Sequence, residues 1–479
     1  MGKPHHLDII DLESNLILAS KIISEFRKEI YSDPIVPDVT YSELYEKLNE
    51  EIPENDCDME TLFEEIKTDI MPNFSKIGHP RNLAWMNNSS CDAGIIGEVL
   101  SVGFGQVPFM FDGSPIGTVI ENLVVRWFGE LFGYKDEFGG TLTSGGMMAN
   151  LTALTVARTI TGQISFEDGM MNEQERLVLY VSEQGHSSIE RAVGMLGIGS
   201  KNLRRISVDG RLKMNVDELV TSIEHDLEEG LKPFCVVGQC GSAAAGAIDP
   251  LKEIAAVCSK YNLWFHVDAA YGGGAILTER YKEIFKRISS ADSITVDPHK
   301  WFYMPLEAGM ILVKNKEHLY RSFNGSACSS YKGENDENNI MNYGVQYARS
   351  SKAFKIWFAL KFYGTRRITQ MVEKNILQAK YLKQKLNNYS CWRLLNPVEL
   401  SIVAFQFYPE GEYTDEVINE LQKKIILRLK LDSIAFLTHV EINNRVGIRM
   451  CFANHRTTIE DIDLIITAIK KIGLEIINS

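Results

Sequence analysis

Between residues 177 and 313 the chain repeats one rhythm: a short apolar run, a stretch with helical spacing, then another apolar run. The runs are Leu177–Ser182, Phe234–Gln239, Leu263–Asp268, Ser293–Asp297 and Gly309–Val313, and helical segments such as Val216–Glu229 and Pro250–Tyr261 separate them. Short runs that are apolar throughout, rather than alternating, are strands covered on both faces. Strand–helix–strand order then implies an α/β fold, a mostly parallel central sheet covered by helices. It also says where chemistry belongs, because ligands of open parallel sheets bind beyond the carboxyl ends of the strands.

The flanks read differently. Residues 1–85 are polar, helical in pattern and broken by Pro34, Pro37, Pro53 and Pro72, which suits an arm packed on something larger. Residues 86–348 form the large α/β domain, and 349–479 a small α+β domain. In the latter, helical patterns at Lys352–Tyr363 and Thr369–Asn387 precede strand-like stretches at Ser401–Tyr408 and Val446–Phe452. A last helix is expected to open at Thr457, with Glu460 at capping-box spacing. Lys332–Asn342, rich in Gly, Asn, Asp and Glu, can bury little and reads as a mobile loop.

A net charge of −13 argues against nucleic acid or anionic lipid as the main partner. No stretch approaches the roughly 20 apolar residues of a membrane helix, and Asp8, Asp11 and Glu13 are wrong for a secretory signal. The eight cysteines are scattered without a C-x-x-C pair, so reduced thiols are expected rather than disulfides or a zinc cage. A cytoplasmic protein is the expectation.

Four segments carry chemistry. In Asp297-Pro298-His299-Lys300-Trp301 a lysine follows a buried strand; desolvation there lowers an amine's pKa and makes it nucleophilic toward an aldehyde, although a surface lysine is the plainer reading. In His266-Val267-Asp268-Ala269-Ala270-Tyr271 a strand delivers a carboxylate that needs a positive partner, such as a protonated pyridine nitrogen. Ala269 and Ala270 leave room for a flat ring. Metal binding by His266 and Asp268 at i, i+2, or a helix-capping role for Asp268, are the rival readings. In Ser144-Gly145-Gly146-Met147, running into a helical pattern, backbone N–H groups suit a phosphate. Finally, His186 follows the Leu177–Ser182 strand, placed either to stack on a cofactor ring or to cap the next helix.

Together these segments resemble the group II pyridoxal-5′-phosphate (PLP) decarboxylases of fold type I, which include the aromatic-L-amino-acid, histidine and glutamate decarboxylases. The resemblance runs from about Gly78 to Phe452. It implies PLP as cofactor, with Lys300 as its Schiff-base lysine, Asp268 on the pyridine nitrogen and His186 stacked on the ring. By the same resemblance Ser144, Gly145, Gly146 and Met147 line the phosphate, and Ser242, Ala270 and His299 adjoin the cofactor. His79, Trp85 and Arg349 face the substrate, and Tyr331, or His186, protonates its α-carbon. The chain departs from the family pattern at Met147 and Ala243, where hydroxyls are usual, and at Trp85-Met86-Asn87-Asn88. The expected reaction is decarboxylation of an L-amino acid to the amine and CO2. Trp85, Phe104, Phe109, Met110 and Phe111 favour an aromatic or large hydrophobic substrate, whereas Asn87 or Asn88 would suit glutamate. Aldehyde synthesis and carbon–carbon lysis are the neighbouring chemistries; a non-catalytic binding protein and a metal-dependent hydrolase stand outside them. The resemblance also implies a homodimer.

Overall fold

The computed structural model describes residues 7, 11–86, 89–135, 137–165, 169–170, 175–285, 287–323 and 338–478. Seven strands form the large sheet: β1 (Gly139–Thr143), β2 (Leu177–Ser182), β3 (Leu203–Ile206), β4 (Lys232–Gln239), β5 (Trp264–Asp268), β6 (Ser293–Val296) and β7 (Gly309–Val313). Their order is β1-β7-β6-β5-β4-β2-β3, and β7 runs antiparallel to both its neighbours, so the other six share one direction. β2, β5, β6 and β7 are buried at every position, as strands between two helical layers must be. The apolar runs read from the sequence match five of the seven strands. β1 and β3 were not among them.

Four further strands, β8 (Trp392–Leu394), β9 (Ile402–Phe407), β10 (Thr438–Ile442) and β11 (Arg445–Cys451), make an antiparallel sheet in the order β10-β11-β9-β8. The amphipathic helices Asp415–Leu431 and Ile459–Ile477 contribute Ile418, Leu421, Ile425, Ile462, Ile465 and Ile469 to its core. The segment Arg81–Ala84 adds itself beside β10 and β11: Leu83 N donates to Phe436 O at 3.0 Å, and Cys451 N donates to Leu83 O at 3.0 Å.

Three details correct the sequence reading. The last helix is capped by Thr458 with Asp461 in a reciprocal capping box, one residue later than expected, because Thr457 Oγ1 donates instead to Pro80 O at 2.7 Å. The helical patterns before and after Gly364 join into one run, Lys352–Asn387, interrupted only by non-helical backbone at that glycine. The end of the supposed mobile loop is packed: Asn339 is buried, and its Oδ1 accepts from Phe111 N at 2.9 Å. The seven described cysteines are free thiols, and no helix among the described residues is long and apolar enough to cross a membrane.

Candidate active site

Parallel strands deliver their carboxyl ends to one edge, and the candidate residues gather there. The turn after β1 brings Gly145, Gly146 and Met147, the loop after β2 brings His186, and the loop after β4 brings Gly241, Ala243 and Ala244. Asp268 closes β5, and Asp297, His299 and Lys300 follow β6. All of these line one cavity of about 910 Å³, which is also lined by Ile77, Trp85, Met86, Leu306 and, from the small sheet, Thr438, His439, Val440 and Arg449.

The lysine turn is held by its neighbours. Lys300 N donates to Asp297 O at 2.9 Å, and Ala308 N donates to His299 Nδ1 at 3.0 Å. Trp301 is fully buried, with Nε1 donating to Asn375 Oδ1 at 3.2 Å. Lys300 Nζ lies 2.9 Å from Asp297 Oδ2. This changes the electrostatics expected of it. Burial is the largest influence and acts downward, but the charge and hydrogen bond of Asp297, with Asp268 adding to them, carry the amine above the ordinary lysine range. That balance favours the ammonium form of Lys300.

Asp268 is buried and fixed from two sides: Ala270 N donates to Oδ1 at 3.1 Å and Asn150 Nδ2 donates to Oδ2 at 2.9 Å. Behind Asn150 runs a relay. Trp264 Nε1 donates to Ser293 Oγ at 2.8 Å, Ser293 Oγ meets His266 Nδ1 at 2.9 Å, and His266 Nε2 meets Asn150 Oδ1 at 3.0 Å. Burial pushes His266 down to about 4, so its ring is neutral. His266 is therefore bonded through Asn150 rather than aimed beside Asp268, and the described residues contain no cluster of three or more metal-ligating side chains. His186 serves as a cap, its Nδ1 accepting from Ser188 N at 3.1 Å at the start of the helix Ser187–Met195. That bond leaves Nε2 as the nitrogen bearing hydrogen, and the ring still lines the cavity.

The cavity fits a flat, anionic cofactor. A Cβ at Gly146 would stand 2.9 Å from Asp297 Oδ2 and 3.2 Å from Ala270 Cβ, and one at Gly145 would stand 3.1 Å from His299 Cε1. The helix Gly146–Ile160 begins at this turn with no side-chain cap, so its first N–H groups suit a phosphate. Three buried polar atoms of cavity-lining residues, Gln239 Nε2, Asp297 Oδ1 and Arg449 Nε, lack hydrogen-bond partners. Buried orphans gathered in one cavity are what a polar ligand satisfies.

Several expected residues lie elsewhere. Arg349 is buried against Glu121, donates to Leu142 O at 2.6 Å and to Thr141 Oγ1 at 3.1 Å, and does not line the cavity. A buried carboxylate has already claimed its charge. His79 is enclosed, with Nδ1 accepting from Arg81 N at 3.0 Å, and Ser242 Oγ accepts from Ala247 N at 3.3 Å; neither these two nor Ser144 line the cavity. Phe104, Phe109, Met110 and Phe111 are also absent from its walls. Tyr331, Asn87 and Asn88 fall outside the described residues. Conversely, Asn150, Gln239, Asp297 and Arg449 were not singled out from the sequence. Arg449 was discoverable: it is the lone charge in Val446-Gly447-Ile448-Arg449-Met450-Cys451.

The model of the pyridoxal-dependent decarboxylase conserved domain matches residues 42–408. Among curated proteins, an aromatic-L-amino-acid decarboxylase of Bacillus atrophaeus is 31% identical, covering 96% of this chain and 94% of that one. Among solved structures, Rhodiola rosea 4-hydroxyphenylacetaldehyde synthase is 25% identical with a TM-score of 0.89, covering 98% of this chain and 99% of that one. Oryza sativa TDC with PLP and tryptamine superposes with a TM-score of 0.93 at 22% identity, covering 99% of this chain and 100% of that one, a likeness of fold.

Proposed function

Because the chain belongs to the pyridoxal-dependent decarboxylase family, and so is a PLP-dependent carboxy-lyase of fold type I, we propose that it converts an aromatic L-amino acid to its amine and CO2, with the cofactor held by Lys300. The observation that carries the site assignment is the convergence of Lys300, Asp268, His186 and the Gly145-Gly146 turn on one cavity. The aromatic preference is supported by the Bacillus relative, an aromatic-L-amino-acid decarboxylase, and by the apolar wall of Ile77, Trp85, Met86, Leu306 and Val440.

When bound, PLP supplies an electron sink for the pair released as CO2 leaves. Gly145, Gly146 and Met147 would hold its phosphate through backbone N–H groups. Asp268, kept in place by Asn150 and Ala270, would pair with the ring nitrogen, and His186 would cover the ring face. The small side chain of Ala270 leaves space beside it, and His299 closes the phosphate side. Arg449, whose Nε is buried and unpartnered, would take the substrate carboxylate, the role the sequence reading gave Arg349. Trp85 and Thr438, His439 and Val440 would flank the substrate. Tyr331 would return the proton to the α-carbon. Aldehyde synthesis is the second reading, since the Rhodiola relative is a 4-hydroxyphenylacetaldehyde synthase.

The working unit in this proposal is a homodimer. The helix Leu12–Lys28 buries none of its residues in the single chain, and Ile96, Val99, Val102 and Ile116 are likewise exposed on neighbouring helices.

Supplying the purified holoenzyme with each amino acid, and measuring CO2, amine, aldehyde and peroxide, tests the reading. Tryptophan, tyrosine or phenylalanine should yield CO2 and amine in equal amounts without peroxide. Borohydride reduction should fix the cofactor at position 300. A Lys300→Ala protein that turns over normally would sink the assignment.

A further inference from the structure

Asp297 has no part in the scheme above, yet its carboxylate is at hydrogen-bond distance from the reactive amine. Its carboxylate is 1% exposed, with Oδ2 2.9 Å from Lys300 Nζ and 3.7 Å from His299 Nε2, while Oδ1 has no hydrogen-bond partner. The same group abuts the glycine turn. The three atoms nearest an added Gly146 Cβ are Asp297 Oδ2, Ala270 Cβ and Asp297 Cγ, and none belongs to Lys300. The carboxylate therefore packs directly against the glycine turn while also holding the amine.

Two requirements collide here. An amine attacks an aldehyde only in its neutral form, but a buried carboxylate at hydrogen-bond distance favours ammonium. A buried carboxylate beside a phosphate dianion is repelled in turn, and in a poorly hydrated site that repulsion is strong. Moving one proton relieves both.

We propose that Asp297 is a positioning residue that keeps Lys300 protonated until a phosphate enters the Gly145-Gly146 turn, and that it then accepts the lysine's proton at Oδ2. The Nζ–H bond breaks, an Oδ2–H bond forms, and the electron pair stays on Nζ as the nucleophile. The acid–amine pair keeps its net charge, while the carboxyl beside the phosphate becomes neutral and turns from acceptor to donor. The device makes the phosphate itself the trigger for lysine reactivity, so that unphosphorylated aldehydes are passed over. It rests on Lys300 being the cofactor lysine. The other charged or titratable groups facing the pair are Asp268 and Cys451 toward Lys300, and Lys355 and Glu307 toward His299. His299 also stands at the glycine turn, its Cε1 3.1 Å from where a Gly145 Cβ would lie and its Nε2 3.7 Å from Asp297 Oδ2, but Asp297 is at hydrogen-bond distance from the amine.

The experiment uses cofactor-free full-length protein, incubated with either pyridoxal or PLP across a pH series, quenched with borohydride and mapped for label at position 300. Initial rates are compared at saturating aldehyde. In the unmodified protein, pyridoxal capture should fall about tenfold for each pH unit below the lysine's titration, whereas PLP capture should be much flatter. Inorganic phosphate should accelerate pyridoxal capture. In Asp297→Asn the pyridoxal profile should move to lower pH and lose its response to phosphate. Coincident pH profiles for the two aldehydes in the unmodified protein overturn the proposal even where the variant fails to fold. Absence of label at position 300 overturns the parent assignment instead, so the two failures are distinct.

Discussion

At the scale of single residues, the site works because each polar group has one place to put its proton. Trp264, Ser293, His266 and Asn150 pass hydrogen bonds in a single direction toward Asp268. Asn150→Ala removes the last of them, a bond to a charged group worth about 1.5–3 kcal/mol. Turnover should drop about tenfold or more while borohydride still fixes cofactor at position 300; loss of cofactor together with turnover would count against this orienting role. The two arginines separate by the same logic. Arg449→Gln should raise KM while borohydride still fixes cofactor at position 300. Arg349→Gln breaks a buried ion pair with Glu121, and should cost about 3–5 kcal/mol in a urea titration. Sequence reading reached Lys300, Asp268 and His186 because each follows an unmistakable strand. It named Arg349, which pairs with Glu121 away from the cavity, because the burial of Glu121 in a distant helix is invisible in a linear pattern.

At the scale of elements, a strand was legible where its sequence is a continuous apolar run and missed where it is not. β3, Leu-Arg-Arg-Ile, is an edge strand with exposed backbone neighbours and polar side chains. β1, Gly-Gly-Thr-Leu-Thr, is glycine-rich because it is crowded: a Cβ at Gly140 would stand 2.5 Å from Ile311 O. Neither carries the continuous apolar run of a central strand. Gly309, the first residue of β7, shows how such packing reaches the site, since its Cβ would fall 2.4 Å from Gly145 Cα. Gly309→Ala must push the phosphate turn outward, so PLP affinity should weaken by at least about tenfold, the consequence of some 1.4 kcal/mol, measured by equilibrium titration of the cofactor-free protein. Gly364 provides the contrast. It has φ +66° with open space around it, so Gly364→Ala should cost about 1–2 kcal/mol of stability through backbone strain and leave PLP affinity unchanged.

At the scale of the whole molecule, buried titratable groups and exposed apolar faces set the conditions under which the fold persists. Burial holds His79, His266 and His455 down to about 4, whereas in the unfolded chain they take up protons below about 6.5. The unfolded state binds more protons in that window, so each histidine weakens the fold as pH falls, by at most about 1.4 kcal/mol per unit. Asp249, which burial raises to about 6, and Asp292, which burial also raises, oppose them, but burial pushes His299 and His318 down as well. The urea midpoint should therefore fall between pH 7 and pH 5, and His79→Asn, which keeps an acceptor for Arg81 N, should shallow that fall. The apolar faces bear on assembly. Val102 is 70% exposed, Ile116 63% and Leu12 57%, and solvated apolar side chains of this size are stabilised when another surface covers them. If a second copy does so, light scattering should give twice the 54.1 kDa chain mass. Burying a valine stabilises by about 1.5 kcal/mol or more, so Val99→Glu and Val102→Glu should each raise the dimer dissociation constant by at least about tenfold. A protein that is monomeric at micromolar concentration and fully active would show instead that this face is covered by something other than the chain itself.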